Sequence, residues 1–207
     1  MTNRAIVSLK FVAFPACLIP LGVLVYERFS NTLGPDPVAT ITHTTGFWTL
    51  YFLLMSLAIT PVRRLSRPLG WLIRFRRMLG LYAFFYATLH LTTYVWLYSG
   101  FDVGAMLHDI AKRPFITMGM LGWTCLLALA ATSTAWSIRK LGGKRWTMLH
   151  RLAYVAATAG VIHYWWLVKP GVRTPWKVTA VLGVLLLARI AGWAKAGWRK
   201  RKVAATV

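Results

Sequence analysis

Histidine is the residue type in this chain best suited to chemistry, and there are five: His43, His90, His108, His150 and His163. His90 and His163 stand inside long apolar stretches, where an ionisable side chain is costly and marks a functional position by default. Each lies about two-thirds of the way along its stretch. If those stretches are the third and fifth of a series of membrane-crossing helices, they run parallel. The two imidazoles then reach the same depth, toward the outer face. Two imidazoles facing each other across a bundle are what a six-coordinate b-type heme requires, and with both axial positions filled such a heme moves electrons rather than binding a substrate. A hydrogen-bonded intramembrane histidine without iron is the alternative for either one taken alone.

His150 stands 13 residues before His163, a rise of about 20 Å on a helix, near the inner end of the same stretch. The matching depth in the third stretch is position 76, which is arginine. Fourteen residues bring Arg76 within about 40° of the His90 face, whereas thirteen leave His150 roughly 220° round from His163 on an ideal helix. Only a phase change, at Gly160 or a local bulge, would align the latter pair. A second, inner heme is therefore allowed but not demanded, with His150 as one ligand and Arg76 as either an unusual second ligand or a propionate partner. His43 opens the second stretch at its outer mouth, as an interfacial polar group or a contact to a heme edge. His108 stands beside Asp109 in an outer loop and reads as solvated.

The elements that must position these residues are written in the hydropathy. Of 207 residues, 57% are hydrophobic and only four are acidic. The apolar residues fall in blocks close to the ~20 residues that cross a bilayer. Six spans are expected, at about 10–26, 46–62, 78–98, 115–136, 147–168 and 176–193, making an all-α polytopic bundle with one domain over 1–207. Gly34-Pro35-Asp36-Pro37, Pro61, Pro68, Pro114 and Lys169-Pro170-Gly171 punctuate it. Nineteen of the 25 basic residues fall at the termini, in the even-numbered loops or in the span ends beside them, and all four acids (Glu27, Asp36, Asp102, Asp109) fall on the other side. The positive-inside rule then puts both termini in the cytoplasm of a bacterial inner-membrane protein. The net charge of +21 is topological on this reading, and nucleic-acid binding is set aside. The first apolar run lacks a small-x-small cleavage site and reads as a retained helix. Cys17 and Cys125 lie in apolar runs without a CxxC or CxxCH neighbour, which argues for buried free thiols.

The chain resembles the MsrQ family, formerly YedZ, over nearly its whole length. The resemblance rests on Gly34-Pro-Asp-Pro-Val, Ile59-Thr-Pro, Arg76-Arg-Met-Leu-Gly-Leu through Ala87-Thr-Leu-His90-Leu-Thr, Arg113-Pro-Phe-Ile-Thr-Met-Gly, Ala131-Thr-Ser-Thr, Leu141-Gly-Gly-Lys-Arg-Trp through Leu149-His150-Arg-Leu, and Ile162-His163-Tyr. The resemblance implies the ferric-reductase-like transmembrane fold, in which histidines of the third and fifth helices hold stacked b hemes. Arg76 departs from that pattern where a second histidine would stand. It further implies FMN as an associated cofactor, although no residue here carries a recognisable flavin signature. The implied role is electron delivery from the quinol pool or a cytoplasmic flavin reductase to MsrP, a periplasmic molybdopterin enzyme that reduces methionine sulfoxide in proteins. That would support repair of an oxidative lesion without this chain touching the sulfoxide.

Two other readings compete. A transmembrane ferric or cupric reductase core differs only in its final acceptor. A histidine-relay transporter would need internal pseudo-symmetry and a partner carboxylate within the membrane. The two halves of the sequence read as non-repeating, and no acid lies within a span.

Overall fold

Ten α-helices and no strand are found among the described residues of the computed structural model, which describes residues 2–168 and 174–204. Their starts follow local chemistry. Asp36 accepts the Ala39 amide (2.9 Å) with Pro37 at the first turn of α3 (Pro37–Leu65), after Gly34 takes a positive φ of 87° in the preceding turn. Asp102 caps α5 (Val103–Lys112) in the same way, through the Ala105 amide, and Pro114 opens α6 (Pro114–Ala131). Pro61 does not end α3, which runs through it to Leu65. The expected stop at Lys169-Pro170-Gly171 lies outside the described residues.

The first apolar run is two helices, α1 (Asn3–Ala16) and α2 (Ile19–Phe29), with a break at Cys17–Leu18. Pro15 and Pro20 each withhold a backbone donor around the break, which frees carbonyls in an apolar setting. Two tyrosines of α4 (Arg76–Thr93) serve the groups on either side of the break, the Phe14 and Cys17 carbonyls and the Leu21 amide. Tyr86, fully buried, inserts its hydroxyl into the helical ladder, donating to the Cys17 carbonyl (2.9 Å) and accepting the Leu21 amide (3.2 Å). Tyr82 donates to the Phe14 carbonyl at 2.7 Å. Removing the Tyr86 hydroxyl (Tyr86→Phe) strands both backbone groups and is expected to cost about 1–3 kcal/mol. Thermal unfolding of the detergent-purified protein checks this; an unchanged midpoint would mean that the prolines alone hold the break.

Four segments are long and apolar enough to cross a membrane: α1–α2 together (Asn3–Phe29), α3, α6, and Pro175–Lys195 of α10 (Thr174–Ala204). The helices carrying His90 and His163, 18 residues for α4 and 16 for α9 (Leu152–Leu167), are not among these four. They pack closely, α4 against α3 and α9 against α6, with Ala83, Ala156 and Ala157 almost wholly buried. Small residues let backbones approach closely where lipid supplies no hydrophobic drive. A π-helical segment, Tyr94–Tyr98, continues α4.

Several expected loops are helical. The loop after the third span holds α5, amphipathic and without a buried residue. The stretch after α3 is a 3-10 segment, Arg67–Arg74, and α7 (Ala135–Leu141) and α8 (Gly143–Leu149) follow α6. Helix α6 therefore ends at Ala131, short of the 136 expected for the fourth span. The expected fifth span is interrupted at His150–Arg151, between α8 and α9, and begins as a continuous helix only at Leu152. Cys17 and Cys125 are buried free thiols.

Candidate functional site

Helices α3, α4, α6 and α9 surround a cavity of about 460 Å³, within the range of about 300–1,000 Å³ common for cofactor pockets. Its walls are mostly apolar, with Leu50, Leu53, Phe115, Ile116 and Leu126 among them. His90 from α4 and His163 from α9 both line it, their ring centroids 5.9 Å apart and their planes nearly perpendicular at 85°. Two imidazoles bound on opposite sides of one metal, each at about 2 Å, place their centroids about 6 Å apart. At this spacing the two imidazoles would be able to hold one iron between them, were a heme bound in the cavity.

Each imidazole is held by one backbone oxygen. His90 Nδ1 lies 2.9 Å from the Thr42 carbonyl and His163 Nδ1 lies 2.6 Å from the Phe115 carbonyl. A carbonyl only accepts, so both Nδ1 atoms carry the proton and donate, leaving the Nε2 lone pairs as the ones able to bind metal. Glycine clears the room on each side. A Cβ on Gly46 would stand 3.2 Å from the His90 ring, and one on Gly119 would stand 3.0 Å from the His163 ring.

These six residues repeat with one offset. Thr42, Gly46 and His90 become Phe115, Gly119 and His163 when 73 is added to each number, and Ala83 becomes Ala156. The α3–α4 hairpin and the α6–α9 hairpin are therefore two copies of one histidine-holding device. The expectation that the halves do not repeat is corrected by this correspondence. It escaped the sequence because Thr42 and Phe115 act through their carbonyls, which leave no side-chain signature. What the sequence did offer was the four-residue step to a glycine in both halves.

At the rim of the cavity, Tyr94 donates to Asp109 Oδ2 (3.1 Å), whose other oxygen pairs with Arg113 Nε at 3.1 Å. All three line the cavity mouth, as does the exposed His43, and none but His43 was singled out from sequence. His108 sits exposed on α5 and does not line the cavity.

His150 and Arg76 lie toward the other end of the bundle. His150 stands in the turn between α8 and α9, its ring stacked on Trp146 at 3.8 Å and its Nε2 3.3 Å from the Thr132 hydroxyl. The phase argument that turned His150 away from His163 assumed one continuous helix. The interruption at 150–151 uncouples the two residues, and it falls there, not at Gly160. Arg76 begins α4, its carbonyl accepting from the Ser56 hydroxyl (3.0 Å), and it is close enough to act electrostatically on His150.

Residues 45–161 match the family described as "Ferric reductase like transmembrane component". The chain is 51% identical over 195 residues to the protein-methionine-sulfoxide reductase heme-binding subunit MsrQ of Herminiimonas arsenicoxydans, spanning 93% of this chain and 87% of that protein. The subunit of the same name from Bordetella parapertussis is 43% identical over 206 residues, spanning 99% and 97% of the two chains. That of Ralstonia nicotianae is 42% identical over 204 residues, spanning 97% and 93%.

Proposed function

Because the chain belongs to the MsrQ family of ferric-reductase-like transmembrane components, we propose that it is the heme-bearing electron carrier of a membrane methionine sulfoxide reductase system. The observation that carries this reading is the His90–His163 pair, each imidazole tied through Nδ1 to a backbone carbonyl and both lining one mostly apolar cavity. A b-type heme there would supply one-electron chemistry. The protein's part would be to present the His90 and His163 Nε2 atoms, exclude water with the Leu50, Leu53 and Leu126 wall, and balance charge at the Asp109–Arg113 rim. The chain itself does not act on methionine sulfoxide.

The wider arrangement is part of the proposal. The π-extended α4 and α9 serve as the third and fifth of six crossings, with both termini in the cytoplasm of a bacterial inner membrane. The clustering of arginine and lysine supports this orientation. Electrons enter from the quinol pool or a cytoplasmic flavin reductase and leave near the rim to a periplasmic molybdopterin partner of the MsrP kind. FMN is carried from the family alone, and we assign it no residue. A ferric or cupric reductase core is the second reading, favoured by the family description that covers residues 45–161. Reduction of methionine sulfoxide by a co-expressed molybdopterin partner, dependent on this chain, separates the two.

The direct test is a spectrum of the purified protein. A Soret band with sharp α and β bands on dithionite reduction is expected, and a heme-free preparation from heme-supplemented cells would sink the reading. A second heme would draw on His150, with Arg76 as ligand or propionate partner. For this site His150→Ala is decisive: loss of about half the heme per chain indicates two hemes, and unchanged stoichiometry and spectrum indicate one.

A further inference from the structure

We propose that a hydrocarbon chain of an acidic phospholipid seats in an apolar groove between α1 and α3, with the lipid's headgroup on Lys10 and Arg74. The groove, about 370 Å³, shares no lining residue with the His90–His163 cavity. It lies toward the other end of the bundle, since α3 gives residues 55–62 to the groove and residues 42–53 to the cavity. Met55, Ala58, Ile59 and Val62 form one wall, a single stripe of α3 at helical spacing. Leu9 and Ala13, one turn apart on α1, form another. Helix α1 is tied to the bundle on either side of them. Asn3 Oδ1 accepts from Arg74 Nη1 at 2.6 Å, and the Phe14 carbonyl accepts from Tyr82. Between those ties the small side chains of Ala13 and Ala58 leave the space open.

The chemistry of the walls selects the occupant. Apart from the Trp71 indole, no lining side chain has a hydroxyl, an amide or a charge. Water finds no partners there, and an empty groove forfeits dispersion contacts along its whole lining. The polar edges of a quinol ring or a flavin would go unpaired on such walls, whereas a hydrocarbon chain loses nothing. The edge of the groove has the opposite character. Phe75 lines it, the Lys10 ammonium stands over the Phe75 ring at 5.9 Å from the centroid, and Arg74 is the residue next to Phe75. Arg74 spends one donor on Asn3 and keeps the rest of its fork. No acid answers these two cations. None of the four belongs to α1, to the Arg67–Arg74 segment or to α4, and Asp36 caps the far end of α3. Apolar walls with a cationic edge match a ligand that is hydrocarbon at one end and anionic at the other, which is an acidic phospholipid.

The full chain in mild detergent is offered dioleoyl phosphatidylglycerol or dioleoyl phosphatidylcholine, which share their chains and differ in charge. Native mass spectrometry counts the lipid retained. One phosphatidylglycerol per chain is expected, held about 25-fold more tightly than phosphatidylcholine, roughly fivefold for each cation. Lys10→Gln should cut that preference about fivefold. Ala58→Leu and Ala13→Leu fill the groove from opposite walls, and each should abolish retention of this lipid while circular dichroism shows the helices intact. Val184→Leu, on an exposed face of α10, should change nothing, which separates a seated lipid from the general lipid shell. Equal retention of the two lipids by the unaltered chain overturns the proposal. So does undiminished retention in a folded leucine variant. If neither leucine variant folds, Lys10→Gln decides, and an unchanged preference there overturns it. None of these readouts depends on heme, so failure here is distinguishable from failure of the heme assignment.

Discussion

Replacing His90 or His163 with alanine is expected to strip the chain of its heme, with retention weakened at least about 100-fold. Loss of residues that merely orient a metal ligand already costs about 10–100-fold, and loss of the ligand itself costs more. The two variants should behave alike, because the two imidazoles are held alike: one donated hydrogen bond from Nδ1 to a carbonyl and one facing glycine. Added imidazole separates a missing ligand from a misfolded chain. It should enter the space left by the truncated side chain and restore a six-coordinate spectrum. Wild-type heme content in either variant would mean that this pair does not hold the iron.

A valine at Gly119 is expected to act nearly as strongly without touching the ligand. Even the first carbon of a side chain there would lie 3.0 Å from His163 Nδ1 and 3.2 Å from its Cε1. The ring must move, and the 2.6 Å bond to the Phe115 carbonyl is lost with it. Overpacking of this kind costs about 1–3 kcal/mol, which is roughly five- to 150-fold in retention. A weakened, five-coordinate spectrum should accompany the loss. Gly46→Val should do the same to His90, somewhat less severely, as its nearest approach is 3.2 Å. Gly80→Ala serves as the control on α4, where the added carbon meets only the Ser56 hydroxyl at 3.7 Å. Should both valine variants keep the wild-type spectrum, the glycines are packing residues and not the clearance for the imidazoles.

The repeated device explains why one pair of side chains can be predicted from depth alone. His90 and His163 stand at equivalent places in two hairpins related by a 73-residue step, so equal depth follows from equal construction. The same repeat weakens the sequence's case against pseudo-symmetry. It does not revive the relay transporter. Asp109 is the one acid among the cavity-lining residues, and it is engaged by Arg113 and Tyr94 at the rim.

What the sequence determined by itself was everything that depends on bulk apolarity, charge bias and residue type. The apolar blocks and the clustering of the arginines are summed properties, so a linear reading finds them. So does the choice of His90 and His163, because a titratable group in an apolar run stands out wherever the chain folds. Tertiary structure alone decided how those histidines are held. The Thr42 and Phe115 carbonyls, the Gly46 and Gly119 clearances, and the Tyr86 hydroxyl set in the Cys17–Leu18 break are relations between segments far apart in the chain. The interruption at His150–Arg151 is of this kind too, since a helix reads as continuous until its neighbours give its ends other partners. A backbone carbonyl looks the same at every residue, and only the partner that reaches it gives it a role.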